Sequence, residues 1–242
     1  MKIGTKSLLF GAHQFFIHPL LVALAWWKLY GFPWDPRLWF AFFLHDIGYW
    51  GKADMDGKEG SEHMILGAKI MSRLFDHSNE FKDIYGDDNH ADKKYEYLRE
   101  NGWNFVNIGF YKKERIITMY RKSRKWYHFC LYHSRFFSCL HGVNPSRLGI
   151  ADKFSLCLEP AWLYLYRIRL SGEIKEYMPL SEDRWAKGEP RFVSKKKGTN
   201  AEEQWFYNVQ EFCSRWAEMI LISDGIDKWT NATNAKERRY EA

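Results

Sequence analysis

The stretch Leu44-His45-Asp46-Ile47-Gly48-Tyr49-Trp50-Gly51-Lys52 follows an apolar run that begins at Trp39. It places an imidazole and a carboxylate side by side at the end of a predicted helix. Burying both groups without partners costs several kcal/mol, and a divalent cation is one of the few ligands that would satisfy the two together. The alternative is an ordinary helix C-terminus, where His45 interacts favourably with the helix dipole and Gly48 is the cap.

The composition predicts one large helical domain. The chain has 242 residues, of which 46% are hydrophobic and 27% are charged, so it can bury a full core. Apolar residues recur at three- and four-residue spacing over long segments, which predicts an all-α fold. The four Cys form no C-x-x-C pair, and we expect a cytoplasmic location. The apolar segment 15–32 is interrupted by His18, Pro19 and Lys28, so no transmembrane segment is expected.

One insertion and one extension are predicted around the helical core. The core occupies residues 1–170 and is interrupted at about 76–125 by a charged, glycine-containing stretch without sustained periodicity. Residues 171–242 form a loop followed by an amphipathic helix, which Asn200 can cap and which we expect to pack on the core.

Four more potential metal ligands fall on or at the ends of apolar helical segments, namely His18, His63, His133 and Asp152. With His45 and Asp46 they give four imidazoles and two carboxylates, the makeup of a hydrolytic site with one or two divalent ions. Imidazole with carboxylate suits Fe, Mn, Zn, Ni or Co better than Ca, and Mg is also considered. Taken singly, His63 could instead be a surface residue and Asp152 could form a salt bridge in the core.

The order H…HD…H…H…D resembles the HD-domain metal-dependent phosphohydrolase superfamily. The similar motifs are IHPLLVA with His18, FLHDIGYWGK with His45 and Asp46, EHMILGAKIM with His63, LYHSR with His133, and LGIADKFS with Asp152. His13 competes for the first position, but only His18 is followed by the Leu-x-Val-Ala pattern. The resemblance covers about residues 7–158 and implies an HD-domain-like helical core around a metal site. The spacing from His63 to His133 is longer than the family pattern because of the insertion.

The resemblance implies an enzyme that cleaves a phosphoester or phosphoanhydride bond of a nucleotide with metal-activated hydroxide. The nucleotide would be a nucleoside mono- or triphosphate or a dinucleoside polyphosphate. Asp46 would bridge two ions, which would otherwise be held by His18, His45 and Asp152 and by His63 and His133. Three cations next to ligands in the sequence are candidates to hold phosphate oxygens: Lys52, Arg135 and Lys153.

Two other functions fit the same residues. A cyclic-nucleotide or cyclic-dinucleotide phosphodiesterase would use the same ligand set. The net charge of +6, with basic stretches at 112–125 and 195–197, would also suit a nucleic-acid-binding protein with a structural metal site. We expect a small phosphorylated partner more than nucleic acid, and the oligomeric state is left open.

Overall fold

The chain forms two units in the computed structural model, which describes residues 1–57, 59–77, 79–86, 93–96, 98–99, 104–111 and 114–230. One unit combines Met1–Met71 with Trp126–Ala242, and the other is Ser72–Lys125. The predicted insertion at 76–125 falls inside the second unit. The described part of the predicted extension, residues 171–230, belongs to the first unit together with the helical core.

Regular structure in the described residues of the first unit is helical, which confirms the all-α prediction for this unit. The α-helices that lie wholly or mostly in this unit are α1 (Ile3–Phe10), α2 (Ile17–Tyr30), α3 (Pro36–Leu44), α4 (Met64–Phe75), α5 (Lys125–Leu131), α6 (Arg135–Leu140), α7 (Arg147–Ser155), α8 (Ala161–Ser171), α9 (Ile174–Ala186) and α10 (Ala201–Ile222). Short 3₁₀ helices occupy Ile47–Tyr49, Gly60–Glu62 and Leu156–Leu158.

Polar side chains directly before several helices fix where those helices begin. Each accepts a hydrogen bond from a backbone N–H in the first turn, which otherwise has no intrahelical partner. These caps are Asp35 for α3, Ser134 for α6, Ser146 for α7 and Asn200 for α10. Because Ser134 follows His133, the start of α6 also fixes the backbone next to that histidine.

The core of the first unit forms where α7 packs against α2 and α10. Ile150 of α7 lies in one buried cluster with Trp216 and Ile220 of α10. Helix α8 packs against α1 and α10, and the ring of Tyr164 stacks on that of Phe206 at 4.2 Å. Helix α10 is therefore an integral part of the core.

The second unit contains a three-stranded antiparallel sheet that the sequence analysis did not predict. Its strands are β1 (Asn79–Gly86), β2 (Asn104–Tyr111) and β3 (Glu114–Lys122), in the order β1-β3-β2. On the central strand, Ile117 and Met119 share a buried face, as the two-residue period of a strand requires. Strand β3 covers much of the basic stretch 112–125, of which residues 112 and 113 lie outside the described part of the chain.

Large apolar side chains remain exposed along one side of α2. Leu20, Leu24 and Trp27 are 55%, 40% and 55% exposed, although the helix is apolar nearly all round. Val22, Ala25 and the other inward residues of α2 are buried. Among the helices that the structure describes, none is long and apolar enough to cross a membrane.

A buried carboxylate joins the end of α1 to the start of α9. Glu173 is fully buried and accepts hydrogen bonds from Ser7 Oγ at 2.7 Å, Ala12 N at 2.9 Å and Tyr177 Oη at 2.9 Å, and a further one from Ser171 Oγ. Burial raises the pKa of Glu173, but its interaction with His13 and these hydrogen bonds outweigh burial and lower the pKa overall. The side chain is therefore ionised in the folded protein.

We predict that Glu173→Gln destabilises the protein at pH 7 by about 1–3 kcal/mol, because the amide cannot accept from all of these buried donors. The folded pKa lies below the unfolded value near 4.5. The stabilisation is therefore complete above that pH and is lost as the pH falls through the folded pKa. Urea unfolding from pH 7 to acid should show the difference between variant and parent shrinking below about pH 4.5. Glu182→Gln, at an exposed position of α9, is the matched control. Equal stability of the Glu173 variant and the parent at pH 7 would contradict the argument.

Candidate metal centre

The structure brings all six predicted ligands together, although they come from separate segments of the chain. All six side chains are buried. His18 lies in the first turn of α2, His45 and Asp46 follow α3, His63 precedes α4, His133 lies between α5 and α6, and Asp152 is on α7.

Glycines let the backbones that carry three of these histidines approach their neighbours closely. A Cβ at Gly48 would overlap the carbonyl oxygen of His63, and one at Gly149 would overlap that of His133. A Cβ at Gly67 of α4 would overlap the carbonyl oxygen of Leu44 and lie 3.1 Å from the Cα of His45. These three glycines, which lie inside the motifs that carry His45, His63 and Asp152, therefore have a packing role.

The first group of ligand atoms comes from His18, His45, Asp46 and Asp152, whose donor atoms all lie within 4.8 Å of one another. Asp46 Oδ2 is 3.2 Å from His18 Nε2 and 3.1 Å from His45 Nε2. Asp152 Oδ1 is 3.1 Å from His18 Nε2 and 3.8 Å from His45 Nε2. Two imidazoles and two carboxylates thus converge on one point.

The second group comes from Asp46, His63 and His133. Asp46 Oδ1 lies 3.4 Å from the Nε2 atoms of both histidines, which are 3.1 Å from each other. The two oxygens of Asp46 therefore face different groups, as a bridging carboxylate would.

Backbone hydrogen bonds fix the orientation of three of the imidazoles. The Nδ1 atoms of His45, His63 and His133 lie 2.9, 2.7 and 2.6 Å from the carbonyl oxygens three residues earlier in the chain. A carbonyl can only accept, so each Nδ1 carries a proton and donates it. In the neutral ring the Nε2 atom then presents a lone pair to the cluster, as a metal-bound histidine does.

Without a bound ion, the histidines of the two groups differ in their pKa values and therefore in their protonation states. Burial lowers the pKa of His63 to about 3, and repulsion from His133 in its protonated form acts in the same direction. Burial also lowers the pKa of His133. Burial acts in the same direction on His45, but the carboxylates of Asp46 and Asp152 outweigh it and raise its pKa to about 10. His63 and His133 are therefore neutral at pH 7, and no proton separates their facing Nε2 atoms.

The chemistry of these residues fits divalent cations. Asp46 Oδ2 is buried and makes no hydrogen bond of acceptable geometry, although two imidazoles lie about 3 Å from it. Burial raises the pKa of Asp46, but the charges of His45 and His13 outweigh it, and the pKa lies well below its usual value. An ionised carboxylate oxygen and imidazole nitrogens directed at a shared point, where a cation would displace the ring protons, are a metal-binding donor set.

His13 and Tyr49 form a layer next to the ligands that the sequence analysis did not assign. His13 Nε2 is 3.9 Å from Asp46 Oδ2, while its Nδ1 is 2.8 Å from Ser7 Oγ. The ring of Tyr49 stacks on His63 with 3.9 Å between centroids. The IHPLLVA pattern thus distinguishes the residue in the cluster, His18, from the residue beside it.

Two of the three predicted cations lie at the cavity next to the ligands. Lys153 Nζ donates to Asp152 Oδ2 at 2.8 Å, and Arg135 is buried and paired with Glu189. Both line a cavity of about 190 Å³. Asp46, His18, His63 and His133 of the ligand cluster line the same cavity. Lys52 is not among the residues that line it. The chain turns at Gly51, where φ is +79°. The backbone carbonyl of the next residue, Lys52, accepts a hydrogen bond from Gly4 N at the start of α1.

Comparisons of the chain with protein-family models, curated proteins and solved structures found no match. The fold and the site define a helical protein with a buried His/Asp cluster that could hold metal ions beside a cavity.

We predict that Gly67→Ala destabilises the protein and lowers its metal content. Helix propensity alone would make this change stabilising by about 0.5–1 kcal/mol, but the added Cβ overlaps the backbone before His45. Urea unfolding and elemental analysis of the purified variant measure both effects. Leu66→Ala, at the exposed neighbouring position, is the matched control and should keep the metal content. A Gly67 variant that is more stable and fully loaded would refute the packing argument.

Proposed function

We propose that the protein is a metal-dependent phosphohydrolase that acts on a nucleotide, as the resemblance to the HD-domain superfamily implies. The observation that carries the proposal is the placement of Asp46, whose two oxygens face separate groups of buried imidazoles. A carboxylate shared in this way can hold two cations roughly 3.5–4 Å apart. The adjoining cavity offers room for a substrate.

The ligands would divide between two ions. His18, His45, Asp46 and Asp152 would hold one ion, and Asp46, His63 and His133 the other. Ions bound there would lower the pKa of a coordinated water towards 7 and neutralise the charge on a phosphoryl group. The preponderance of imidazoles favours Fe, Mn, Co, Ni or Zn over Mg.

The protein's own cations would bind and orient the phosphoryl group. Lys153 keeps an ammonium group beside Asp152 at the edge of the cavity. Arg135 is held by Glu189, and its Nε–H has no partner among the described residues, so it can donate to a phosphate oxygen. Fixed cations of this kind stabilise the charge that develops in phosphoryl transfer.

The function is tested by phosphate release from a nucleotide panel with protein purified without chelator. The panel contains nucleoside mono- and triphosphates, dinucleoside polyphosphates, and cyclic mono- and dinucleotides. Cleavage restricted to cyclic substrates would make the protein a phosphodiesterase. If metal-loaded protein hydrolyses nothing and binds nucleic acid with steep salt dependence, a nucleic-acid-binding role replaces the proposal.

We predict that Asp46→Ala removes both the bound metal and the hydrolytic activity, because one carboxylate serves both groups. Circular dichroism should show that the helices are retained. His141→Ala, which alters an exposed histidine outside the cluster, is the control and should change neither property. Full activity in the Asp46 variant would exclude this site.

A second variant separates the two groups. We predict that His133→Ala loses one ion and keeps the other, since His133 belongs only to the group with Asp46 and His63. Elemental analysis should show about half the metal of the parent protein if two ions bind. An unchanged metal content would mean that only the group containing Asp152 is occupied.

A further inference from the structure

The cavity has a second wall, opposite in chemistry to the ligand cluster. Helix α10 contributes Trp205, Val209 and Phe212, which recur at the spacing of one helix face. Tyr164 and Leu156 extend this apolar surface. A wall of this kind favours a flat, largely apolar group over a solvated phosphate chain.

Three residues that line the cavity, one of them in this wall, have polar atoms without partners among the described residues. Trp205 Nε1, Glu189 Oε1 and Arg135 Nε are buried, and none has a hydrogen-bond partner in the described part of the chain. The three residues are 6%, 4% and 5% exposed. Two donors and one acceptor have therefore lost their hydrogen bonds to water without gaining others in the described structure. A bound molecule with complementary atoms would offset this desolvation free energy.

The arginine and the glutamate that line the cavity beside this wall are held rigidly. Arg135 pairs with Glu189, and its guanidinium carbon lies 4.9 Å from the ring centroids of both Phe136 and Phe212. A side chain fixed in this way loses little conformational freedom when a ligand binds, which favours recognition of one geometry.

The charge of the cavity limits the number of phosphate groups. The two arginines that line it among the described residues have acidic partners outside the ligand cluster: Arg135 has Glu189, and Arg184 has Asp56 at 3.5 Å. The lysine that lines it, Lys153, is paired among the described residues only with Asp152 of the cluster. Beyond the cluster and Lys153, then, positive charge is already balanced. A single phosphoryl group at the cluster is accommodated, whereas the further phosphates of a triphosphate would meet no excess of cations.

We propose that this wall is a binding subsite for an uncharged heteroaromatic ring that accepts a hydrogen bond from Trp205 Nε1 and donates one to Glu189 Oε1. The substrate class is therefore a nucleoside monophosphate, with its phosphate at the ligand cluster. This inference rests on the proposed hydrolytic function for the position of the phosphate. The ring subsite itself does not depend on catalysis.

The kinetic test compares metal-loaded protein on the four common nucleoside 5′-monophosphates, their triphosphates, and ribose 5-phosphate, which lacks the ring. We expect the best monophosphate to exceed its triphosphate and ribose 5-phosphate at least about tenfold in kcat/KM. Trp205→Phe should lower kcat/KM for that monophosphate by about tenfold, the loss typical of a buried hydrogen bond. It should leave ribose 5-phosphate unaffected.

Trp216→Phe is the matched control. Trp216 is also a buried α10 tryptophan whose Nε1 has no partner in the described residues, but it does not line the cavity. This control should change neither kcat/KM. Metal content should match the parent in both variants, and the two variants should show similar falls in melting temperature, because each loses part of a buried ring. Equal losses of kcat/KM in the two variants would overturn the role of Trp205. Equal rates on ribose 5-phosphate and monophosphates, or faster triphosphate cleavage, would overturn the substrate class while leaving hydrolysis established.

A binding measurement separates this inference from the proposed function. Calorimetric titration with the phosphate-free nucleosides should show binding to the parent and to Trp216→Phe, and weakening of about tenfold in Trp205→Phe. If no substrate is hydrolysed but this pattern appears, the subsite stands and the hydrolytic function fails. If nucleotides are hydrolysed but no nucleoside binds and the Trp205 variant behaves as the parent, the subsite fails.

Discussion

The centre of this protein depends on one electrostatic constraint: lone pairs meet in a buried space with no proton between them. His63 and His133 each give a ring proton to a backbone carbonyl, so their Nε2 atoms face each other at 3.1 Å with Asp46 Oδ1 at 3.4 Å from both. Such contacts are repulsive where the local dielectric is low. A cation at this point would turn the repulsion into attraction, and its binding energy would then contribute to folding.

The fold meets this constraint with helix ends and glycines. Histidines at helix ends have nearby carbonyls that accept from Nδ1, as Phe42 O does for His45 and Cys130 O for His133. Glycines such as Gly149 then remove the side chain that would keep neighbouring backbones apart. In the sequence, these positions were marked by polar residues on or at the ends of apolar segments. All six residues predicted from that pattern come together in the structure.

Features that depend on tertiary contacts were not predictable in this way. Glu173 resembles an ordinary charged residue near a helix start, and its hydrogen bonds to Ser7 and Ala12 arise only when distant segments pack. The sheet was missed because the alternation at Ile117 and Met119 spans too few residues to outweigh the surrounding charges. Lys52 follows the His-Asp motif closely in sequence, yet the turn at Gly51 separates it from the cavity.

The residues that could hold a metal were predictable from the sequence and the residues of the cavity wall were not, and this difference has a physical origin. Holding a metal requires particular atoms, so the residue types are restricted and the pattern is visible in a single sequence. A recognition wall requires only shape, apolar surface and a few placed polar atoms, which many residues supply. Trp205 and Phe212 therefore looked like ordinary core residues of an amphipathic helix until the structure set them beside the ligands. Under the proposed function, chemistry and selectivity would therefore come from different parts of the chain, and the selectivity would lie largely in α10, which follows the region that resembles the HD-domain superfamily.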